Sequence, residues 1–523
     1  MGSTFGGLEI AKRALNTQQS ALYTTSHNIA NANTEGYTRQ RVNFEQTAPY
    51  PPASRNRPEI PGQVGSGVEA GSIERVRDSF LDVQYRSENS KLGYYQSKAD
   101  AMAQMETIMN EPSEQGLANT MDQFWQSLQD LSVNPEDAGA RSVVRQRGVA
   151  VAEAFNYISN SLNSVRADLQ SEIGVTETEV NSIIDQINNV NQQIGDIEPH
   201  GYLPNDLYDE RDRLIDKLSG IVNIKVSYEK SGGQPSPQAS GKATITLAGN
   251  GAESGIKLVD ASSNTVNHFD VGYDGNKDVN TITFYNPKDL ANGETDPATI
   301  AADKKTAVDA YSFQSSGKLK ALVETNGYVA ANGQATGEFN KMVANLDKMA
   351  YAFVNTFNTQ HQLGTDLEGN TGTDAKLFFT ALATEKGAAS TISVSQDIKD
   401  STDYITASLN GDSGDGTNAN KLADVFNQLN VGLGATTSIN SYYQSAIGEM
   451  AVITQESNRM VNNATILKQQ VQENRQSVSA VSLDEEMTNM IQFQHAYNAA
   501  ARSMTTVDEM LDRIINNMGL VGR

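Results

Sequence analysis

The sequence predicts a multidomain α+β protein with paired N- and C-terminal coiled-coil helices, a mainly α-helical middle domain and an inserted β-rich outer domain. Three observations carry that expectation. Apolar residues recur with a seven-residue period at both ends of the chain, they alternate steps of three and four between about residues 140 and 198, and the period drops to two after Ile221.

At the N-terminal end, Leu8, Leu15, Leu22 and Ile29 mark one edge of a heptad seam, with Ala11, Gln18, Thr25 and Ala32 at the intervening positions. At the other end Leu483, Met490, Tyr497, Met504, Leu511 and Met518 repeat in the same way. Met487, Gln494, Ala501, Asp508 and Ile515 are expected at the alternate sites. Ser482 with Glu485 reads as a capping box opening that second helix, and Gly519 is placed to close it. A lone amphipathic helix cannot bury its own stripe, so each end needs a partner, and the simplest partner is the other terminus. An ordinary bundle edge or a coiled-coil dimer would show the same periodicity.

Between the ends, Phe155, Ile158, Leu162, Val165, Leu169 and Ile173 trace a long helix with one extra four-residue step beside Gly174. After Thr176 the seam resumes from Val180 to Ile197. Such a stutter locally relaxes a left-handed supercoil. "EPHGYLPND" stops this helix, and "DERDRLIDKLSG" reads as a short return helix ending at Gly220. "IVNIKVSYE", "KATITLAG", "GIKLVDAS" and "NTITFYN" then read as short strands. Helical spacing returns with Phe339, Met342, Leu346, Met349, Phe353 and Phe357. "TISVS" and "DYITASL" form a small mixed β stretch, and the chain is mainly helical from about residue 418. The expected division is 1–35 with 482–523 as the terminal pair, 36–225 with 318–481 as the middle domain, and 226–317 as an insert with its own core.

Composition narrows function. Lys and Arg total 40 against 63 Asp and Glu, a formal net charge of -23, which repels phosphate backbones and anionic lipid. No nucleic-acid or membrane partner is expected; "RNRPEIPGQ" near Arg55 reads as a solvated loop. No run approaches the ~18 apolar residues of a membrane span. The opening "MGSTFGGLEIAKRALNTQQS" lacks a signal-peptide pattern, so any export is expected by a route that cleaves nothing. With no cysteine, thiolate metal sites and cysteine nucleophiles are excluded. The five histidines lie far apart and read as solvated or hydrogen-bonded. "GSGVEAG" and "SSGKLK" miss the phosphate-loop spacing and read as turns. "DLEGNTGTD" has Asp366, Glu368 and Asn370 as in a calcium loop, but Thr371 replaces the glycine and Leu377 the bidentate Glu, which favours a tight Asx-type turn. No nucleophile, base and orienting group assemble, so no catalytic residue, metal or cofactor is expected.

"ALNTQQSALYTTSHNIANANTEGYTRQRV" resembles the N-terminal signature of the bacterial flagellar axial proteins, the rod, hook and hook-associated family. Its "TSHNIANANT" and "YTRQ" are most similar to the hook-associated members. "GSGVEAGSIERVRDSFLDVQYR", "NPEDAGARSVVRQRG", "LYDERDRLIDKLS", "FNTQHQLGTDLEGNTG", "GDGTNANKLADVFN" and "VSLDEEMTNMIQFQHAYNAAARSMTTVDEML" resemble further segments of it. Within 226–317 no family motif stands out.

The resemblance implies a structural component of the hook–filament junction, needed for filament assembly. Its termini would pair as a coiled coil lining an export channel, and neighbouring copies would pack them into a tube. The implied partners are further copies in a helical ring, the hook protein, a second hook-associated junction protein and a flagellar export chaperone. The implied location is the extracellular flagellum, reached through the flagellar type III secretion route. The assembly seam would comprise Leu8, Leu15, Leu22, Ile29, Met490, Tyr497, Met504 and Leu511. Asn28, Asn31 and Asn33 are candidates for contacts between subunits: with Leu8 at position a, Asn28 and Asn33 flank the seam and Asn31 lies on the outer face. A hook or distal rod protein, and a secreted coiled-coil adhesin, are the alternatives.

Overall fold

The computed structural model describes residues 5–51, 55, 62–111, 113–114, 116–290, 297–429, 431–434 and 436–517. The chain opens with α1 (Gly6–Ala30). Asn31 ends it: its side-chain amide donates to the His27 carbonyl at 3.1 Å, and its Oδ1 accepts from the Thr34 hydroxyl. Gly36, with φ of +83°, then turns the chain outward. The strands β1 (Gln40–Gln46) and β2 (Val68–Arg75) form an antiparallel hairpin with a register shift at Asn43/Phe44, and both rest against α1.

Three helices follow: α2 (Ser79–Met109), α3 (Leu117–Val133) and α4 (Ala138–Ile197). The Asp78 carboxylate caps α2 through the Phe80 amide, and Asp137 caps α4 through Gly139 and Ala140. The 60 residues of α4 run unbroken through the stutter and Gly174. The return helix α5 (Asn205–Ile221) packs back on α2 and α4. It comes so near α2 that a Cβ on Gly93 would lie 2.0 Å from the Gly220 carbonyl oxygen, a crossing only glycine permits.

One sheet has the order β3 (Ile224–Glu229), β4 (Lys242–Leu247), β5 (Lys257–Asp260), β6 (Thr265–Val266). In the second, β8 (Val279–Tyr285) pairs with β7 (His268–Tyr273), with β9 (Lys305–Asp309) and, at Val279, with β10 (Tyr328–Val329), which carries β11 (Ala335–Thr336). The remaining helices are α6 (Lys318–Asn326), α7 (Glu338–Gln362), the single turns α8 (Ala388–Thr391) and α9 (Gln396–Asp400), then α10 (Thr417–Asp424), α11 (Ile439–Ser479) and α12 (Leu483–Asn517).

The body closes around α4, which touches α2, α3, α5, α6, α7, α8 and the strands β4 to β7. Phe124, Phe353, Phe357, Phe378, Phe379 and Phe426 form one aromatic knot, with Phe378 and Phe379 ring centroids 4.9 Å apart and Phe353 and Phe379 5.1 Å apart.

Two expectations need correction. The β segment does not hold a core of its own. Asn191 of α4 exchanges two hydrogen bonds with the Ala243 backbone at 2.8 and 2.9 Å, Asn181 does the same with Phe269, and Ile184, Ile245, Val259 and Ile282 belong to one continuous core. Its strands also overrun 226–317, beginning at Ile224 and gaining β10 and β11. "TISVS" and "DYITASL" form no strands, only single bridges at Phe379–Val394 and Thr365–Ser408. Ile392 and Val394 are buried at alternate positions, and Ile405, Thr406, Ala407 and Ser408 are all buried, so the alternating sequence there is packed into the core without a ladder.

Candidate assembly site at the base of the terminal helices

The two terminal helices lie side by side and antiparallel. Gly7 faces Val507, where an added Cβ would sit 3.5 Å from Cγ2, while Asn28 reaches Glu486 at 3.1 Å. Leu8, Leu15, Leu22 and Ile29 are only half-buried, and the fully buried positions of α1 are smaller: Ala11, Thr17, Ala21, Thr24, Thr25 and Asn28. On α12, Met490, Tyr497 and Met504 are half-buried and Leu511 is 9% exposed.

The alternate positions of α12 differ from those expected. Phe493, Ala500 and Val507, three residues after each seam residue, are half-buried, whereas of the expected positions only Ala501 is half-buried and Met487, Gln494, Asp508 and Ile515 are exposed. Steps of three and four from Glu486 through Met490, Phe493, Tyr497, Ala500, Met504 and Val507 to Leu511 keep Gln494 and Asp508 in water, where an unpaired charge is cheap. Met518 and Gly519 lie outside the described residues.

The asparagines also divide. Asn28 is 1% exposed, and its amide is fully used within the chain: Nδ2 donates to the Gln40 carbonyl at 2.8 Å and to Glu486, while Oδ1 accepts from the Gln40 amide at 3.0 Å and the Tyr37 hydroxyl at 2.7 Å. Every bonding direction of a side-chain amide is then occupied, so Asn28 is a clamp between α1, β1 and α12 and not a free subunit contact. Asn31 caps α1. Asn33 is exposed beyond the helix end, where heptad positions no longer apply.

Around this clamp lies a charge network that sequence reasoning missed. Arg39 pairs with Glu486 at 2.8 Å and Glu485 at 2.9 Å, and its amide donates to the Ser479 carbonyl at 2.9 Å. Because Glu485 turns to Arg39, only half of the capping box forms, the Glu485 amide donating to Ser482 Oγ at 3.5 Å. Deeper in, Asp212 meets Arg75 at 2.9 Å, Arg77 at 3.3 Å and Arg86 at 3.4 Å, and Asp209 meets Arg75 at 2.9 Å. Asp216 joins Arg86 to Arg475 of α11. Burial disfavours the Asp212 charge, but Arg77, Arg75, Arg211 and Arg86 outweigh it and hold its carboxyl far below the usual range. A signal was present: Asp209, Asp212 and Asp216 fall at i, i+3 and i+7 on one face of α5, and three arginines lie in "RVRDSFLDVQYR".

The remaining motifs are structural. Asp366 Oδ1 accepts from the backbone amides of Glu368 and Asn370 at 2.9 and 2.8 Å, an Asx-type turn. His361 is fully buried, its Nε2 accepting from the Thr406 amide at 3.1 Å, and burial pushes its pKa down to about 3, so the ring is neutral. Among the described residues no group of three or more His, Cys, Asp or Glu is placed to hold a metal, and no helix is long and apolar enough to cross a membrane.

Three family models match the chain. The flagellar hook-associated protein FlgK helical domain covers residues 102–379, the flagellar basal body rod FlgEFG protein C-terminal model covers 472–518, and the flagella basal body rod protein model covers 8–38. The chain is 46% identical to flagellar hook-associated protein 1 of Bacillus subtilis over 100% of both chains. It is 26% identical to the protein of that name from Escherichia coli, over 97% of this chain and 98% of the other. Its fold is similar to that of the flagellar hook junction protein FlgK from Burkholderia pseudomallei, with a TM-score of 0.58 at 14% identity, covering 77% of this chain and 100% of that one. The two rod-type matches fall on α1 and α12, the elements that the clamp joins, and the FlgK match falls on the body between them. The chain therefore belongs to the flagellar hook-associated protein 1 family, structural components of the bacterial flagellum.

Proposed function

We propose that copies of this chain form a short helical ring at the hook–filament junction, each copy contributing its α1/α12 pair to an inner tube. One observation supports this above others: the body has a closed core, while the large residues of the terminal seam are left half-covered in a single copy. On α12, Met490, Tyr497 and Met504 are half-buried, and Met487 and Ile491 beside Met490 are 54% and 56% exposed. Half-covered apolar side chains along a helix gain by being covered. The ring would meet the hook protein on one side and a second hook-associated junction protein on the other. Before assembly an export chaperone would cover the same stripe of α12, and the chain would leave by the flagellar type III route without cleavage.

A strain lacking the protein tests this reading under the electron microscope. Hooks without filaments are expected, restored by the intact gene. Absent hooks, or normal flagella, would each overturn it. For the chaperone, pull-down with a chain truncated at residue 482 should lose binding.

A further inference from the structure

The cleft where the α1–β1 turn meets α2, α5 and α11 is basic in an otherwise acidic protein. It has a volume of about 480 Å³, and Arg213, Lys217, Lys468 and Arg475 outnumber Glu35 and Asp216 on its walls. Most of these cations are already paired: Arg213 with Glu210, Lys217 with Glu179, and Arg475 with Asp216 at 2.9 Å and Asp82 at 3.3 Å. Two donors are left over. Arg475 Nη1 is buried with no hydrogen-bond partner, and Lys468 has no ion pair or hydrogen bond among the described residues, its ammonium lying 5.6 Å over the Tyr85 ring. Arg475 covers the same ring at 4.4 Å, so Tyr85 holds both cations, one heptad apart on α11, toward one cleft. Half-burial lowers the Lys468 pKa despite Asp216, the mark of an ammonium short of a counter-charge.

The occupant this surface fits is a helix face bearing carboxylates one turn apart, matched to the unpaired donors of Lys468 and Arg475. The chain carries one at the far end of α12, where Asp508, Asp512 and Ile515 follow at i, i+4 and i+7 and all are exposed. It cannot reach the cleft of its own copy. At 1.5 Å per residue Asp512 stands about 44 Å along α12 from Leu483, and Lys468 only about 16 Å along α11 from Ser479. With four Cα–Cα steps from Ser479 to Leu483 spanning at most about 14 Å, the two backbones remain at least about 13 Å apart.

We propose that the basic cleft around Lys468 and Arg475 is the socket for the Asp508/Asp512 face of α12 from a second copy. The inference rests on the self-assembly proposed above and names one of its contacts. An approaching carboxylate would give Lys468 its missing counter-ion, and a second one a helical turn away would meet Arg475.

Because the chain has no cysteine, engineered pairs report without background. Lys468→Cys and Asp512→Cys chains, co-expressed in a strain lacking the parent and treated in isolated flagella with a bismaleimide long enough to span a Lys–Asp ion pair, should yield cross-linked dimers, and neither variant alone should do so. A strain that swims with both variants but gives no dimer overturns the socket while leaving the junction reading intact. Failure of the wild-type protein to localise at the junction overturns that reading instead. Charge exchange is the second measurement: Lys468→Glu should impair swimming, and Asp508→Lys with Asp512→Lys in the same chain should restore it. Additive loss would overturn the proposal.

Discussion

The body and the terminal pair are both helical, yet they bury their residues differently. Phe124, Phe353 and Phe357 are 0% exposed in the aromatic knot, whereas Leu8, Leu15, Leu22 and Met504 on the terminal seam are half-exposed. The body keeps its largest aromatic side chains inside, packed against one another. The terminal pair does the reverse, burying alanines, threonines and an asparagine while leaving leucines at the margin. A single copy is thus a finished domain carrying an unfinished one. What joins them is polar: the Asn28 clamp and the arginine–aspartate network under it.

The largest way to test that contrast is to replace residues 226–317 with a short Gly/Ser linker. If the strands were a separate body the loss would be small, since long surface loops cost little. Here Asn181 and Asn191 would lose backbone partners at about 1 to 3 kcal/mol each, and Ile184, between them on α4, would be uncovered at about 1.5 to 3 kcal/mol. The sum reaches the low end of a typical domain stability of about 5–15 kcal/mol. The purified variant should lose its cooperative melting transition; an unchanged Tm would restore the view of an independent insert.

Next comes Asp212→Asn, which leaves Arg75, Arg77 and Arg86 facing a neutral amide in the interior. Breaking a buried ionic network from one side costs about 3 to 5 kcal/mol. The pH dependence has a definite sign. A carboxyl whose folded pKa is depressed contributes stability above its unfolded value near 4, and that contribution is lost as pH falls toward the folded value. Urea midpoints measured from pH 6 downward should therefore fall steeply below about pH 4 for the parent and less steeply for the variant. Equal slopes would remove Asp212 from the account of acid sensitivity.

The periodicities made the long elements legible. The helix expected over about 140–198 is α4, the return helix is α5, and the seven-residue repeats at the two ends do meet. Each of these rests on apolar spacing, which is local information. What spacing did not disclose is where polar groups find partners. Asn28 and Gln40 are twelve residues apart, but Asn28 and Glu486 are separated by nearly the whole chain, and no pattern in either segment points to the other. The same holds for the sheets: alternation in "KATITLAG" marks a strand, but not the asparagine ladder of α4 that covers it. The charge network was half-legible, since one face of α5 gathers three aspartates while their arginines lie on β2 and α2 and beyond.

A smaller and more local change separates the join from the body. In Asn28→Ala the Gln40 backbone amide and carbonyl and one oxygen of Glu486 lose a partner at the base of the pair, about 1 to 3 kcal/mol for a group left buried and unsatisfied. The global melting transition, set by the closed core, should move little. Hydrogen exchange in the first turns of α12 and the last turns of α1 should accelerate, because α1 is then held to β1 by fewer bonds. A uniform increase across α4 would mean that clamp and core unfold together, and the contrast between the regions would fail.

The smallest effect on the isolated chain should accompany the largest on assembly. Met504 lies on the seam of α12 but is half-exposed in one copy, so the carboxylate of Met504→Asp can keep much of its hydration by turning to the open side. The monomer should then melt within about 1 kcal/mol of the parent, as ordinary surface substitutions do. Once a neighbouring copy covers that side, the same carboxylate is trapped without a partner, at a cost of several kcal/mol for every copy in the ring. Secreted levels should be normal and filaments absent, with Leu22→Asp behaving alike from the opposite helix. If Met504→Asp cells swim as the parent does, the open half of the seam is not where neighbours pack, and half-burial of the terminal helices would have to be read as their finished state.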